Sequence, residues 1–598
     1  MSLIFPDCPS RMYSKSYMDR VIAEVEEFDA EKWIAEFEEV TKDAERVQRE
    51  LLEKILTQNV ETEYLKKHGL KAGCFDPASF KECVPVVTYT DIQPYIDRIA
   101  DGDTSSILTS KRVPSFVLSS GTSNGKNKLV PYLEEKMDAC LVSKLTSYAY
   151  RNREYPIDES KKALMFVYTS PATKTKGGLD ARFGSSVYYS DRKAKLGSRV
   201  DPCSPVEVRC ASDIQQATYC NLLCGLIYCD QVQFICSAFA HSTVLAFDMF
   251  LETWEELCSD IRVGMLSTRI TDPSLREVVS RLIKQDLELS DTIHNICVEL
   301  RDSSWQGLIG RLFPSAKYVL AIMTGTAVKY VGRLRVYAGE LPLISDEYVC
   351  SEGRIGTNIN PRVLPELTSY VVLPNVGYFE FLPVQVRKQQ YEDNIEVRPL
   401  GLTQVKVGQE YEVVISNFLG LYRYKLGDVV KITGFHNSTP QLQYICRANV
   451  ILSINTEKTS EKDLQEAVEE ASKHLAKDKI KVVEYTSYAD VSPRQEHYVI
   501  FWELDGDCSD NVLTKCCNSL EKAIPDVIYG RERKRGIIKP LELRVVRKGT
   551  FLKILEQTAS NGAGSTTQFK MPKCLKNENF IRLFNDNVTS IDFSTAYD

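Results

Sequence analysis

Apolar positions recur at helical spacing from the start of the chain: Val21, Ile22, Val25 and Phe28, then Trp33, Ile34 and Phe37, then Val47, Leu51 and Ile55. Glu and Lys fill the other faces, so the pattern predicts amphipathic helices from about Lys15 to Gln58. Val84–Tyr89 leads into a short helix near Ile92, and Phe116-Val117-Leu118 reads as a strand. Leu133–Tyr150 predicts a helix and Ala163–Tyr168 a strand. Val206–Cys210 reads as extended, Ile214–Leu226 as helix, Gln233–Ala238 as extended and Ser242–Cys258 as helix. Lys317–Met323 is a further strand, running into Thr324-Gly325-Thr326-Ala327. This alternation predicts an α/β architecture. A strand that ends in small residues is where open α/β sheets place ligands.

The order changes after the punctuation at Phe435–Pro440. Val450–Ile454 reads as a strand, Glu461–Leu475 as a helix, Lys479–Tyr488 and Tyr498–Glu503 as strands, Asn511–Ile524 as a helix and Leu541–Val546 as a strand. That is β-α-β-β-α-β, the ferredoxin-like split unit, in a small domain of about 150 residues. Within it, Ser560–Thr567 is too rich in Gly and Ser to be rigid. Gln568-Phe569-Lys570-Met571-Pro572-Lys573 follows.

Composition narrows the class. With 598 residues, the chain has length for roughly two to four domains. Its 43% hydrophobic and 26% charged content is that of a soluble globular protein. A net charge of −7 argues against a nucleic-acid partner, which needs a clustered basic face. The most apolar window, Leu222–Leu251, is broken by Asp230, Gln231, Gln233, His241 and Asp248, so it reads as buried helix and strand rather than a membrane span. Met1–Asp7 carries no long apolar run, so no signal peptide is expected. The 18 cysteines include no CxxC pair. Cys220, Cys224, Cys229 and Cys236 read as small buried hydrophobes in a reducing, cytoplasmic compartment. None of the six histidines sits in an HExxH pattern, and no zinc site is expected.

Three short motifs carry the candidate chemistry. In Ser119-Ser120-Gly121-Thr122-Ser123-Asn124-Gly125-Lys126-Asn127-Lys128, two glycines, several hydroxyls and free amides make a phosphate cradle. It is not the Walker loop: three residues separate Gly121 from Gly125, and Asn127 follows Lys126. In Tyr348-Val349-Cys350-Ser351-Glu352, the aromatic can stack on a purine and the acid can hold a divalent cation against a phosphate. In Tyr422-Arg423-Tyr424-Lys425-Leu426-Gly427-Asp428, a carboxylate in a tight turn can accept from both ribose hydroxyls. Each alone fits an ordinary turn or strand end. In this order they point to one ligand, with the loop taking the triphosphate, Tyr348 the adenine, Glu352 the magnesium and Asp428 the ribose.

This order resembles adenylate-forming enzymes of the luciferase and acyl-CoA synthetase type, and more closely the plant Gretchen Hagen 3 family of acyl-acid amido synthetases. Ser119–Ser123 matches that family's first motif, Tyr348–Glu352 its second with Val349 and Cys350 as departures, and Tyr422–Val430 its third. Leu222–Leu226, Pro374-Asn375 with Tyr378–Phe381, and Pro540-Leu541-Glu542 extend the likeness along nearly the whole chain. The resemblance implies a large N-terminal α/β domain of adenylate-forming type (1–435), a hinge (436–446) and a small mobile α+β C-terminal domain (447–598). It implies an ATP- and Mg2+-dependent ligase that adenylates a carboxylic acid and passes the acyl group to an amino acid, releasing pyrophosphate and AMP. An acyl-CoA synthetase running the same first half-reaction is the alternative among enzymes. A nucleotide-binding protein without catalysis is the alternative outside them, and the presence of Glu352, Asp428 and Lys570 speaks against it.

By the same resemblance, Ser119, Ser120, Thr122, Ser123, Thr326, Tyr348, Ser351, Glu352, Asp428 and Lys570 contact ATP. Glu352 holds the metal, and Lys570 swings in from the small domain. The helix after the first motif (at Ser147), Ala238, Phe239, Val328 and Tyr330 line the acyl-acid pocket. Thr173, Thr175, Gly177 and Arg533 lie at the amino-acid site, where Gly530 departs from the usual Arg. Benzoate-specific relatives carry an Arg where Ser147 stands, and here the next Arg is Arg151. Without that cation, a larger apolar acid such as indole-3-butyrate or indole-3-acetate is expected as readily as a benzoate, with jasmonate also in range. The partners expected are small molecules alone, with no nucleic acid and no membrane, and the chain is expected to be a monomer.

Overall fold

The computed structural model describes residues 28–123, 126–169, 171–190, 199–211, 213–384, 398–447, 450–452, 454, 459–492, 496–534, 536, 538–560 and 571–597. Contacts divide the chain into two compact units. Among the described residues, the first holds those up to 119, 128–426 and 430–444. The second holds the described residues of 120–127, 427–429 and those from 445 onward.

In the first unit, Asp29 caps the helix Ala30–Lys42 by accepting from the Glu31 and Lys32 amides. Asp43 caps the next helix, Ala44–Asn59, in the same way. Their apolar stripes, with Trp33, Ile34, Phe37, Leu51, Leu52 and Ile55, face a common core. Buried Gln48 staples the second helix to the strand Tyr378–Pro383. Its amide donates to the carbonyls of Pro374 and Gly377 at 2.6 and 2.7 Å, and its oxygen accepts from the Phe379 amide at 2.7 Å. That strand belongs to an eight-stranded sheet that also contains Glu347–Val349, Arg354–Thr357, Tyr370–Val372, Glu410–Ser416, Tyr424–His436 and Thr439–Arg447.

A second, parallel sheet runs in the order Asp201–Pro202, Lys162–Phe166, Val232–Phe239, Tyr318–Ile322, Leu343–Ile344. Its side chains alternate between two cores. Leu164 and Phe166 pack with the helices Ile214–Ile227 and Ala240–Val263, while Ala163 and Met165 pack with Phe234, Tyr318 and Ile344 on the other face. The α/β alternation therefore stands, with one correction. Val206–Cys210 is a single helical turn, not a strand. Two valines two residues apart fit either state over so short a run, and the extended Pro205 stands just outside the turn as its N-cap.

In the second unit, the four-stranded sheet has the order Val482–Asp490, His497–Leu504, Glu542–Val546, Val588–Phe593. The inner pair is parallel, joined across the helix Asp510–Ala523, and the outer pairs are antiparallel. This corrects the split-unit expectation. Val450–Leu452 pairs with Thr459–Ser460 instead of entering the sheet, and Glu542–Val546 lies directly beside His497–Leu504. Tyr498, Ile500 and Trp502 face the helices Glu461–Ser472 and Asp510–Ala523, while Val499 and Phe501 face Phe551 and Phe584.

The described cysteines are all free thiols, and Cys220, Cys224 and Cys236 are buried. Among the described residues, no helix is long and apolar enough to cross a membrane.

Candidate active site

The third motif works first as an anchor. Tyr422 donates to the Leu108 carbonyl at 2.7 Å. Arg423, held at φ +48°, makes a two-pronged pair with buried Glu380, 2.9 and 3.0 Å, and donates to the Lys81 and Val84 carbonyls. The Arg423 carbonyl accepts from the Val87 amide, and the Lys425 amide donates to the Val87 carbonyl. The strand Tyr424–His436 therefore starts from a fixed point, and its first side chain meets the second motif. Tyr424 donates to Glu352 Oε1 at 3.4 Å, and Asn417 Nδ2 donates to the Glu352 carbonyl at 2.9 Å. Glu352 is 4% exposed. Two stretches about seventy residues apart thus fold onto one carboxylate, and Tyr424 and Asn417 are partners that sequence reading did not single out.

Tyr348 lies in a group of rings. It packs 5.9 Å from Tyr370 and, edge-on, 6.0 Å from Tyr444. Tyr370 shares a hydrogen bond with Ser345 at 2.7 Å and donates to Thr324 Oγ1 at 3.4 Å. Gly325 has φ +63°, and a Cβ there would sit 2.9 Å from the Tyr444 ring. A side chain is therefore excluded at the end of the strand Tyr318–Ile322. The Thr324–Tyr330 turn and the Tyr348 motif come together around these aromatics.

Two expectations about local form change. The glycine-rich motif is not an open loop, because the strand Ser115–Ser123 runs through it and Lys126–Tyr132 is the next strand of the same sheet. Ser119 is buried, whereas the side chains of Ser120, Thr122, Ser123 and Thr326 lie outside the description. Asp428 is not in a turn between strands. It lies inside Tyr424–His436, where Gly427 takes φ +76°, and Arg447 Nε pairs with its Oδ1 at 2.9 Å. Lys570 lies outside the described residues.

The helix Glu134–Glu154 carries the feature that sequence reading missed. Lys136, Cys140, Ser143, Lys144, Ser147 and Arg151 fall on one face. Lys136 donates to the Ser351 carbonyl. Ser143 and Lys144 both bond Glu347. Ser147 and Arg151 both reach Asp346, at 3.3 and 3.2 Å, and Arg151 Nε meets Tyr318 Oη at 3.2 Å. Arg354 lies 3.4 Å from Glu347 and donates to the Cys140 sulfur. Burial works against the Lys144 charge, but Asp346 and Glu347 hold its amine well above the usual lysine range. Burial likewise opposes the Asp346 carboxylate, and Lys144 and Arg151 keep its pKa low. Burial pushes the Lys136 amine down and the Cys140 thiol up. A helix so widely buried is normally apolar. The polar residues at four-residue steps were the available signal.

Of the acyl-pocket candidates, Ser147 is buried in this network. Phe239 and Tyr330 flank His241, with ring centroids at 5.8 and 5.7 Å. Ala238 precedes Phe239 in the strand Val232–Phe239, and Val328 is exposed on the turn Gly325–Tyr330. Of the amino-acid candidates, Thr173 donates to the Ala181 carbonyl at 3.2 Å, and Thr175 closes a turn with Leu179. Gly177 packs on Gly102, where a Cβ would lie 2.6 Å from the Gly102 Cα and 2.7 Å from the Asp101 carbonyl carbon. Gly177→Ala should therefore lower stability by about 1–3 kcal/mol by forcing two backbones apart; an unchanged melting temperature refutes this. Arg533 lies in the second unit, its guanidinium committed to buried Glu521 at 2.5 and 3.4 Å and to the Ile538 carbonyl at 3.2 Å.

Models of the GH3 family N-terminal, central and C-terminal domains match residues 33–343, 370–447 and 462–579. The jasmonoyl–L-amino acid synthetase JAR4 of Nicotiana attenuata is 50% identical over 585 residues, covering 97% of this chain and 100% of that one. The indole-3-acetic acid-amido synthetase GH3.10 of Arabidopsis thaliana is 42% identical over 581 residues, covering 94% and 98%. The solved structure of the GH3.15 acyl acid amido synthetase superposes with a TM-score of 0.82 at 34% identity, covering 94% of this chain and 97% of that one. The three matched domains and these full-length likenesses show that the chain belongs to the GH3 family of acid–amino-acid ligases.

Proposed function

We propose that this chain uses ATP to convert a carboxylic acid to an acyl-adenylate and then passes the acyl group to the amine of an amino acid. The observation that supports the reading best is the meeting of Glu352 with Tyr424 and Asn417, which gives the second and third motifs one buried acidic corner. A carboxylate is a poor electrophile. In the first step its oxygen attacks the α-phosphorus of ATP and pyrophosphate leaves. In the second the amine attacks the adenylate carbonyl, AMP departs with the bonding pair, and the amine proton is lost to solvent or base. Water competes in the second step, so its exclusion favours amide over hydrolysis.

The donor set fits a lightly held magnesium ion. Among the described residues, no cluster of three or more His, Cys, Asp or Glu could cage a metal. A single carboxylate, Glu352, suits Mg2+, which keeps waters and substrate phosphates as its other ligands. When bound, the ion offsets charge on the phosphates. In this reading Tyr348 meets the adenine, Ser119 and Ser351 approach the phosphates, and the helix Glu134–Glu154 with Ala238, Phe239, Val328 and Tyr330 bounds the acid. The roles of Ser120, Thr122, Ser123, Thr326, Asp428, Lys570 and the amino-acid residues Thr173, Thr175, Gly177 and Arg533 rest on family resemblance. The reading calls for a monomer acting in the cytoplasm on diffusible substrates.

The test is a matrix of acids against amino acids, read by pyrophosphate release and by the mass of the product, with coenzyme A as a competing acceptor. Jasmonate and indole-3-acetate, the acids named for the relatives, are its reference arms. Amide products support the reading. Thioester alone replaces it with an acyl-CoA synthetase, and no pyrophosphate with any acid refutes it.

A further inference from the structure

We infer that the first unit holds a binding site for a small tetrahedral oxyanion, phosphate or sulfate, in the cavity between Gly102–Val113 and the turn at Gly177. The site is separate from the motifs assigned to ATP, and it does not depend on the ligase reading.

The first argument is space and access. The cavity measures about 60 Å³. A water needs about 10–15 Å³ of such space, so about four to six non-hydrogen atoms fit, the size of one phosphate. Ile99, Ile107, Thr109 and Val113 are buried and form its base. Thr104, Lys111, Arg112 and Gly177 are exposed and form its mouth.

The second argument is the supply of donors. Among the described residues, the Arg112 side chain and the Thr104 hydroxyl make no hydrogen bond or ion pair. Thr109 Oγ1 accepts from the Lys111 amide at 3.3 Å, and its own proton goes to no described group. Lys111 spends one N–H on Glu135 and keeps 52% of its side chain exposed. The fork of Arg112 matches two oxygens of an oxyanion, with the Lys111 ammonium and the hydroxyls left for the others.

The third argument is that the nearby acceptors are occupied. An ionised carboxylate has about four acceptor positions. Asp103 fills them with Arg98 Nε and Nη2, at 3.2 and 2.8 Å, and with the Ser105 amide and hydroxyl, at 2.9 and 2.6 Å. Its charge is matched by Arg98. The C-terminal end of the helix Tyr89–Ala100 would repel an anion if its carbonyls were bare. Those of Asp97, Arg98, Ile99 and Ala100 instead accept from the amides of Asp101, Asp103, Gly102 and Gly177, at 2.8, 3.0, 3.1 and 2.8 Å. A cavity with donors to spare and its acceptors taken selects a ligand that only accepts, over a cation or an ammonium.

The fourth argument is position. Ser115–Leu118 runs parallel to Asp180–Phe183, with Ser115 opposite Asp180. The cavity residues Val113 and Leu179 come just before these strands begin, whereas Ser119 lies beyond their far end. Ser115 to Ser119 is about 13 Å of strand. An anion held in the cavity is therefore distinct from the phosphates assigned to the first motif.

The test follows the melting temperature of the full-length protein in sodium phosphate, sodium sulfate and sodium chloride at matched ionic strength. Phosphate or sulfate should raise it above chloride, to a plateau. Arg112→Gln should raise the half-saturating concentration by about tenfold or more, and Thr109→Val by about threefold or more. The oxyanion shift should persist at saturating MgATP, and alanine should give none. A shift no larger than that of chloride, one unchanged in Arg112→Gln, or one removed by MgATP overturns the inference. So does a shift with alanine that phosphate does not give, which makes the cavity an amino-acid site. If MgATP itself shifts nothing, the nucleotide reading fails, and the Arg112→Gln comparison still decides the oxyanion site.

Discussion

Glu352→Gln should cut pyrophosphate release by about a hundredfold or more while leaving the fold intact. The substitution keeps the size of the side chain and an oxygen to accept from Tyr424, so the corner built by Tyr424 and Asn417 survives. What it removes is a negative charge held at 4% exposure. Low exposure matters because a charge screened by little water acts strongly on its neighbours. If the role of that charge is to hold magnesium against the phosphates, the variant should also need more Mg2+ to reach half of its residual rate. The checks are single-turnover pyrophosphate release, a magnesium titration and a melting curve. Release above a third of the wild-type rate with an unshifted magnesium midpoint would remove Glu352 from the metal. A drop of several degrees in melting temperature would instead make it a structural residue of the Tyr424 corner.

How much of this was legible in the sequence depended on how local each signal was. The helices from Ile214 and Ser242 and the strands from Gln233 and Lys317 were read within a few residues, since each carries a full period of its pattern. Val206–Cys210 was misread because five residues cannot separate the two periods. Asp428 was placed in a turn because Gly427 does take a left-handed conformation, but it does so within a strand that continues to His436. The sheet of the second unit was ordered wrongly because strand pairing is a long-range property. Nothing local in Glu542–Val546 says which neighbour it takes, and Val588–Phe593 follows two helices that carry no marker of a fourth strand. The charged face of Glu134–Glu154 was hardest to read. Lys144 and Arg151 at helical spacing look like a solvated face, and the partner that buries Arg151, Asp346, lies 195 residues along the chain. The acidic corner was half legible: Glu352 and the third motif were found, but Tyr424 itself reads as an ordinary strand residue.

Arg423→Met should cost about 3–5 kcal/mol, because it removes one partner of a buried pair and strands the other. Glu380 is fully buried, and both its oxygens bond the Arg423 guanidinium. Lys81, 3.7 Å away, gives only partial relief. The Lys81 and Val84 carbonyls lose their donor at the same time. The double variant Arg423→Met with Glu380→Leu separates the causes. If the stranded carboxylate dominates, removing it as well recovers more than half of the loss, since a buried pair replaced by apolar side chains of similar volume is often close to neutral. If the left-handed backbone at Arg423 and the two carbonyls dominate, the double variant stays as unstable as the single. Urea midpoints for the two variants distinguish these outcomes, and a single-variant loss below about 1 kcal/mol rejects both. The same experiment bears on activity. Arg423 fixes the start of the strand that delivers Tyr424 to Glu352. The single variant should therefore lose adenylation at temperatures where it is still folded, and the double variant should regain it only so far as that strand regains its anchor.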